Sequence, residues 1–311
     1  VESSATQTST PQPSEETDPQ APAQTPDLRL VVCDMDGTLL DGHGEIPDGL
    51  WPILQVMADR EIAFTPASGR QYATLHAMFD RAAGSSQMAY IAENGALLMR
   101  EDSRLDASVI DPGYVAVTLA ELDRLEARGH DLGAVLCGVQ GAYIRRDDDA
   151  FLAEVAKYYL HHQVVEDLSR VDDDIIKIAV FDFGDAAEIF PRLQDAIGGE
   201  SDRLPQGTRT GQRSQDHTVV LSAHHWLDVS NADATKGHAL GQLQKVLGVT
   251  PGQTAVFGDY LNDLDMFDHA ELSFAMANSH PDLLARARFI APSNLDCGVV
   301  TTLQRLLGIH Q

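Results

Sequence analysis

An apolar run over residues 28–33 stops abruptly at two carboxylates one residue apart, in Asp34-Met35-Asp36-Gly37-Thr38. A short apolar run bounded by a turn signal reads as a buried strand. Asp34 and Asp36 then lie at the strand's carboxyl end, the edge where open α/β sheets bind their ligands. Two acids crowded there repel, and a divalent cation or a shared proton relieves the repulsion. Taken alone, the pattern also fits an Asx turn after a strand.

The rhythm that follows sets the fold class. Helix is expected over 46–60, with Pro47 in its first turn. A strand is expected over 61–65, a helix over 71–81 capped at Gly84, and a strand over 88–92. This β-α-β-α-β order predicts an α/β fold with a parallel, doubly wound sheet. Between about 111 and 216 the texture changes to helix (119–128), hairpin (133–145), helix (150–160), strand (175–183) and helix (186–196). A block of that size with its own α+β pattern reads as an inserted domain. The α/β rhythm resumes near His217, with strands over 218–221, 254–257, 272–276 and 288–291 and helices over 236–247, 264–269 and 299–307. The expected division is a core over 27–110 and 216–311, an insertion over 111–215, and a disordered tail over 1–26. The tail is rich in Ser, Thr, Gln, Pro and Glu and cannot bury enough surface to offset its ordering entropy. It lacks the basic and apolar regions of a signal peptide.

Charge narrows the partners. Lys and Arg total 22 against 47 Asp and Glu, a formal net charge of -25. Such a surface repels nucleic acid and anionic lipid, so an anionic substrate needs a local positive site or a metal. No apolar stretch is long enough to span a bilayer. Cys33, Cys137 and Cys297 lie far apart and read as apolar filler in a reducing, cytoplasmic compartment.

Three further polar clusters fall at strand ends or helix starts: Ser68-Gly69-Arg70, Lys236-Gly237 and Gly258-Asp259-Tyr260-Leu261-Asn262-Asp263. Parallel strands share one edge, so these groups can converge on one crevice with Asp34 and Asp36. Hard carboxylate oxygens suit Mg²⁺, which keeps some water and takes phosphate oxygens. Asp34 can attack phosphorus and form an aspartyl-phosphate. Lys236, Ser68 and N–H groups at helix starts can neutralise the equatorial oxygens. Asp36 can protonate the leaving alkoxide and later deprotonate the attacking water.

In this order, the four clusters resemble the motifs of the haloacid dehalogenase (HAD) superfamily, and most closely its Cof-type phosphatases. Glu93-Asn94-Gly95-Ala96, Ala275-Met276-Ala277-Asn278-Ser279 and the stretch from Ser293-Asn294 to Gly298-Val299 are also similar to Cof-type signatures. The resemblance implies a Rossmann-like core with an inserted C2-type (C2B) cap. By the same carry-over Asp34 is the nucleophile and Asp36 the general acid/base. Ser68, Gly69, Lys236 and Asn262 bind the phosphoryl group. Asp34, Asp259, Asp263 and Asp36, the last through its backbone carbonyl, form the Mg²⁺ site, with Asp263 supporting the metal's waters or Lys236. Superfamily dehalogenases lack an acid at the position of Asp36, so its presence implies a phosphate ester. Tyr260 and Cys297 depart from the usual pattern and bear on substrate fit.

Weaker candidates have competing readings. Lys177 sits in an apolar strand, on a face with Ile175 and Ala179, and fits either a substrate contact or an edge-strand lysine. Arg70 fits a phosphate contact or, with more weight, a donor to neighbouring carbonyls. Asn94 is a candidate substrate contact. The pairs His161-His162 and His224-His225 point apart and make poor metal sites. Asp147-Asp148-Asp149 and Asp172-Asp173-Asp174 read as solvated loops or helix N-terminal charge. Trp226 reads as packing. The resulting expectation is a Mg²⁺-dependent phosphatase acting on a small phosphorylated metabolite, with a sugar phosphate favoured. A phosphohexomutase on the same scaffold, or a non-catalytic phosphometabolite sensor, are the competing readings.

Overall fold

The structure, a computed structural model, describes residues 27–82, 88–198 and 217–309. The tail expected over 1–26 and the cap expected at Gly84 lie outside the described residues. In chain order the strands are β1 (Leu30–Asp34), β2 (Ala63–Ala67), β3 (Ala89–Ala92), β4 (Leu97–Arg100), β5 (Ser103–Ala107), β6 (Leu132–Gly138), β7 (Ala142–Ile144), β8 (His162–Val164), β9 (Ile175–Asp182), β10 (His217–Leu221), β11 (Trp226–Asn231), β12 (Thr254–Gly258), β13 (Leu272–Met276) and β14 (Phe289–Ala291). The helices are α1 (Leu50–Asp59), α2 (Tyr72–Met78), α3 (Pro112–Ala127), α4 (Asp149–Val155), α5 (Ala186–Gly198), α6 (Lys236–Leu247), α7 (Leu264–Phe267), α8 (Pro281–Arg286) and α9 (Gly298–Leu307).

The first sheet runs β14-β13-β12-β1-β2-β3-β4-β5, parallel from β14 through β3 and antiparallel from β3 to β5. β1 is central and completely buried, which is why its sequence is a continuous apolar run. Its side chains alternate between two helical layers. Val31 and Cys33 pack with α1 and α9, through Ile53, Met57, Leu303 and Leu306. Leu30 and Val32 pack with α6 and α7, through Leu240, Leu243 and Met266. The register sets Asp34 beside Ala67 and Gly258 beside Ala275. The chain segments that leave β1, β2 and β12 therefore emerge at the same edge.

The second sheet runs β10-β11-β9-β6-β7-β8. One face is covered by α3 and α5, where Leu122, Leu125, Ile189 and Leu193 meet Leu136, Ile178, Val180 and Leu227. The other face looks toward the carboxyl edge of the first sheet. Residues 217–231 require a correction. The sequence places them in the core, but β10 pairs with β11 and β11 with β9, both antiparallel. The sequence reading has a strand only over 218–221 and none at β11, so it announces neither the hairpin nor the sheet that it extends. The two chain segments linking the sheets are fastened to each other. Asn231 Nδ2 donates to Ser108 Oγ (3.1 Å) and to the Val109 carbonyl (2.9 Å), and Ser108 Oγ donates to Asp233 (2.5 Å).

Local differences have simple causes. α1 begins at Leu50, so Pro47 precedes it and its carbonyl accepts from the Leu50 N–H at 2.9 Å. Pro52 occupies the first turn instead, where a missing N–H costs no helical bond. The helix expected over 71–81 stops at Met78 and continues as a 3₁₀ turn, Asp80–Ala82. The short elements β4, β5, β8 and α8 have too few residues to show a period. No helix among the described residues is long and apolar enough to cross a membrane.

Gly95 joins the first sheet to the start of α6. Its φ is +102°, and a Cβ there would lie 2.1 Å from the Thr235 carbonyl oxygen. Gly95→Ala is expected to lower the denaturant midpoint, by about 1–3 kcal/mol or more of stability. An unchanged midpoint would show that the α6 start yields freely.

Candidate active site

Asp34 closes β1, and Lys236 opens α6, whose N-cap Thr235 accepts from the His238 N–H. That cap fixes where the lysine begins its reach. Lys236 is only 1% exposed, with Nζ 2.5 Å from Asp34 Oδ1 and 2.7 Å from Asp263 Oδ1. The second oxygen of Asp263 accepts the N–H groups of Asp259 (3.1 Å) and Tyr260 (3.2 Å). Thr38 Oγ1 donates to Asp259 Oδ1 at 3.0 Å. Two further bonds lock the loops together: Asn278 Nδ2 to the Gly37 carbonyl (2.8 Å) and the His280 N–H to the Asp259 carbonyl (2.8 Å).

Asp34, Asp259 and Asp263 each place one carboxylate oxygen within 4.8 Å of the others. Gly37 makes room for this group. Its φ is +78°, and a Cβ would lie 2.3 Å from Asp259 Oδ2. An all-oxygen, acidic donor set with backbone cut away beside it fits a hard divalent cation. The electrostatics agree. Burial pushes the Asp34 carboxyl up to about 8, against the pull of Lys236 and with added repulsion from Asp263. Burial also raises Asp259. Burial disfavours the Lys236 ammonium, but Asp34 and Asp263 outweigh it and hold the lysine charged, above its usual range.

Asp36 points elsewhere. Its exposed carboxylate forms a two-point pair with the Arg70 guanidinium, whose Nη2 lies 2.8 Å from Asp36 Oδ1. Arg70 Nη1 also donates to Ser68 Oγ at 3.2 Å. Arg70 thus bridges a carboxylate and a hydroxyl at the site, and the reading of it as a donor to carbonyls is not what the structure shows. Ser68 is buried, and its carbonyl accepts from the Asn94 N–H at 2.9 Å. Gly69 faces Asn94: a Cβ there would come within 3.0 Å of Asn94 Nδ2. Asn94, in a left-handed conformation, accepts from Asn262 Nδ2 at 3.4 Å.

Lys177 lies in β9, between β11 and β6, so it is not on an edge strand. It shares its face with Ala179 and Phe181. Ile175, expected on the same face, packs on the opposite one because the register slips between Cys137 and Gly138. Lys177 is buried and forms an ion pair with Glu93, at the end of β3. Glu93 holds the ammonium charged despite its burial. Glu93, quoted in the sequence only as part of a Cof-type signature, is the counter-ion that the sequence reading of Lys177 did not identify. The available signal was a lysine inside an apolar strand, which demands a counter-ion somewhere.

A cavity of about 380 Å³ opens between the sheets, with Asp36, Ser68, Arg70 and Asn94 on one side and Lys177 and Trp226 on the other. Trp226 packs against Phe181 and Tyr158, so it is both packing and cavity wall. The histidine pairs stay outside this site: His162 Nδ1 meets the Tyr159 carbonyl and His225 Nδ1 the Asp182 carbonyl. Asp148 caps α4, and Asp173 accepts from the Gln140 N–H and the Tyr143 hydroxyl.

A family model described as haloacid dehalogenase-like hydrolase matches residues 31–303. The chain is 28% identical over 283 residues to the 5-amino-6-(5-phospho-D-ribitylamino)uracil phosphatase YbjI of Escherichia coli (strain K12), covering 90% of this chain and 96% of that one. It is 23% identical over 299 residues to the phosphatase of the same name, YwtE, of Bacillus subtilis (strain 168), covering 90% and 98%. A haloacid dehalogenase-like hydrolase from Bacteroides thetaiotaomicron shares the fold at a TM-score of 0.73 and 21% identity, covering 90% of this chain and 99% of that one. Motif order, fold and family match agree: the chain belongs to the haloacid dehalogenase-like hydrolases, among phosphatases of the Cof type.

Proposed function

We propose that the chain is a Mg²⁺-dependent phosphatase that hydrolyses a small phosphorylated metabolite through an aspartyl-phosphate on Asp34. The observation that carries this reading is the placement of Asp34, which ends a buried strand between a buried lysine and two further carboxylates. The second sheet acts as a C2-type cap, spanning about 111–231, and excludes bulk water from the cavity.

Asp34 would attack phosphorus while the bond to the ester oxygen breaks. Asp36, on the cavity side, would leave its pair with Arg70, take up a proton from solvent, give it to the departing alkoxide and then take one from the water that cleaves the aspartyl-phosphate. Inorganic phosphate and the free alcohol are the products. Lys236 and Ser68 would hold the phosphoryl oxygens. Asp34, Asp259 and the Asp36 carbonyl would hold Mg²⁺, with Asp263 engaged by Lys236 and two N–H groups. When bound, the ion supplies charge neutralisation on the nucleophile and the transferring group.

The names of the two relatives support a phosphomonoester of metabolite size. The test is a panel of phosphorylated sugars, polyols, nucleotides and cofactors, scored by phosphate release with Mg²⁺ and with EDTA. Release that needs Mg²⁺ is expected. Silence across the panel overturns the phosphatase reading, and isomer interconversion without release replaces it by a mutase. Release that survives EDTA overturns the metal assignment.

A further inference from the structure

Resting on the phosphatase reading of Ser68, we propose that Gln71 is a positioning residue: it ties the cap to the loop that holds the phosphoryl group, so that filling the phosphate site and closing the cap favour each other. Gln71 follows Arg70, caps the start of α2 and is buried. Its side-chain amide makes two bonds to one backbone residue of the cap. Nε2 donates to the His161 carbonyl at 2.9 Å, and Oε1 accepts from the His161 N–H at 3.2 Å. A carboxamide that donates and accepts in this way imitates the peptide group of a neighbouring strand. It does so beside β8, the outermost strand of the second sheet. Thr74 lies three residues on, on the same helical face, and its Oγ1 donates to the Tyr158 carbonyl at 3.4 Å. The first turn of α2 is thus docked on the cap segment 158–161.

The backbone behind Gln71 belongs to the phosphate side. The Arg70 N–H donates to Ser68 Oγ at 3.2 Å. The Glu93 N–H donates to the Arg70 carbonyl at 3.0 Å, and the Asn94 N–H to the Ser68 carbonyl at 2.9 Å. Residues 68–71 and 93–94 therefore move as one unit. That unit meets the cap at a second point, because Glu93 carries the ion pair with Lys177. The two contacts differ in kind. A buried ion pair gives up nearly as much hydration as it gains in attraction, so it fixes where the cap lands more than how firmly it is held. A neutral amide meeting a backbone N–H and carbonyl gives up far less, and contributes more of the net hold.

Gln71 is not among the described residues that line the cavity, whereas Lys157, Tyr158 and Tyr159, beside the segment it grips, are. It acts on the site through its neighbours alone. A ligand that settles Ser68 and Arg70 steadies the backbone from which Gln71 reaches. The cap is then held closed more of the time. By linkage the reverse follows: a cap released from Gln71 must weaken whatever fills the phosphate site, by the same factor.

The chain has two tryptophans, and only Trp226 lines the cavity, so in the full chain carrying Trp51→Phe the quenching of its fluorescence by acrylamide reads how open the cleft is. Orthovanadate with Mg²⁺ serves as the phosphoryl mimic, with its affinity measured by calorimetry. Vanadate is expected to lower the quenching constant. Gln71→Met, of equal length but without the two hydrogen bonds, should raise that constant and weaken vanadate by about tenfold. Gln71→Asn keeps the amide one methylene short of His161 and should act in the same direction, which covers a Gln71→Met chain that does not fold. Vanadate bound equally by the parent and the folded variants overturns the coupling, even if the variants melt earlier, because a purely structural contact leaves that affinity unmoved. Quenching that vanadate leaves unchanged in the parent overturns it too. A parent that neither binds vanadate nor releases phosphate from any ester overturns the phosphatase reading and the coupling with it.

Discussion

Asp34→Asn is expected to abolish phosphate release, lowering kcat by about 10⁴-fold or more, while leaving the chain folded. The amide has the shape of the carboxylate but cannot attack phosphorus. Lys236 keeps Asp263 as its partner, so the exchange strands no buried cation. Folding has a pH signature as well. Burial raises Asp34 from its ordinary 3.8 to about 8. In EDTA the native state therefore holds a proton that the unfolded chain has already released between those values. Stability falls as pH rises through that window. Asn carries no such proton, so the variant's stability should be flatter over the same interval. Denaturant titrations at several pH values check this, and phosphate assays check the activity. Turnover within tenfold of the parent would remove Asp34 from the nucleophile role.

Lys236→Met is expected to damage both folding and catalysis. The lysine is 1% exposed and lies between carboxylates that are 6% and 0% exposed as residues. Removing it leaves two buried acids without a counter-ion, at a cost of about 3–5 kcal/mol. For a chain of this size that corresponds to a melting temperature lower by roughly 6–20 °C. Activity should fall by about 10²–10³-fold, because a preset donor to the phosphoryl oxygens is lost. Part of the stability should return with Mg²⁺, a hard cation that the cluster of Asp34, Asp259 and Asp263 suits. A melting temperature within two degrees or so of the parent in EDTA would contradict this account.

The sequence was most legible where one residue type had one physical explanation. β13 and α6 fall on their expected limits, 272–276 and 236–247, because apolar runs and a Thr-Lys helix start leave little choice. Strand order then brings Asp34, Ser68, Lys236 and Asp259 to one edge, which the motifs alone could only suggest. What was not legible depends on contacts between distant segments. Lys177 reads as ambiguous until Glu93 is seen beside it, 84 residues away. Asp36 and Arg70 sit 34 residues apart, and neither spacing nor residue type announces their pairing. Of the hairpin of β10 and β11 only a strand over 218–221 was legible, and the sheet it joins is decided by the pairing of β11 with β9.

The fastening of the two inter-sheet segments has a consequence for how such a molecule can diversify. The insertion leaves the first sheet after Ala107 and returns near Asp233, and Ser108 bonds to both Asn231 and Asp233. Its entry and exit are therefore adjacent, as they are for modules that tolerate exchange. Substitutions in β11 can alter the wall at Trp226 and Asp228 without reaching the register that holds Asp34 beside Ala67. New leaving alcohols can be acquired by drift in one module while the phosphorus chemistry is inherited unchanged in the other.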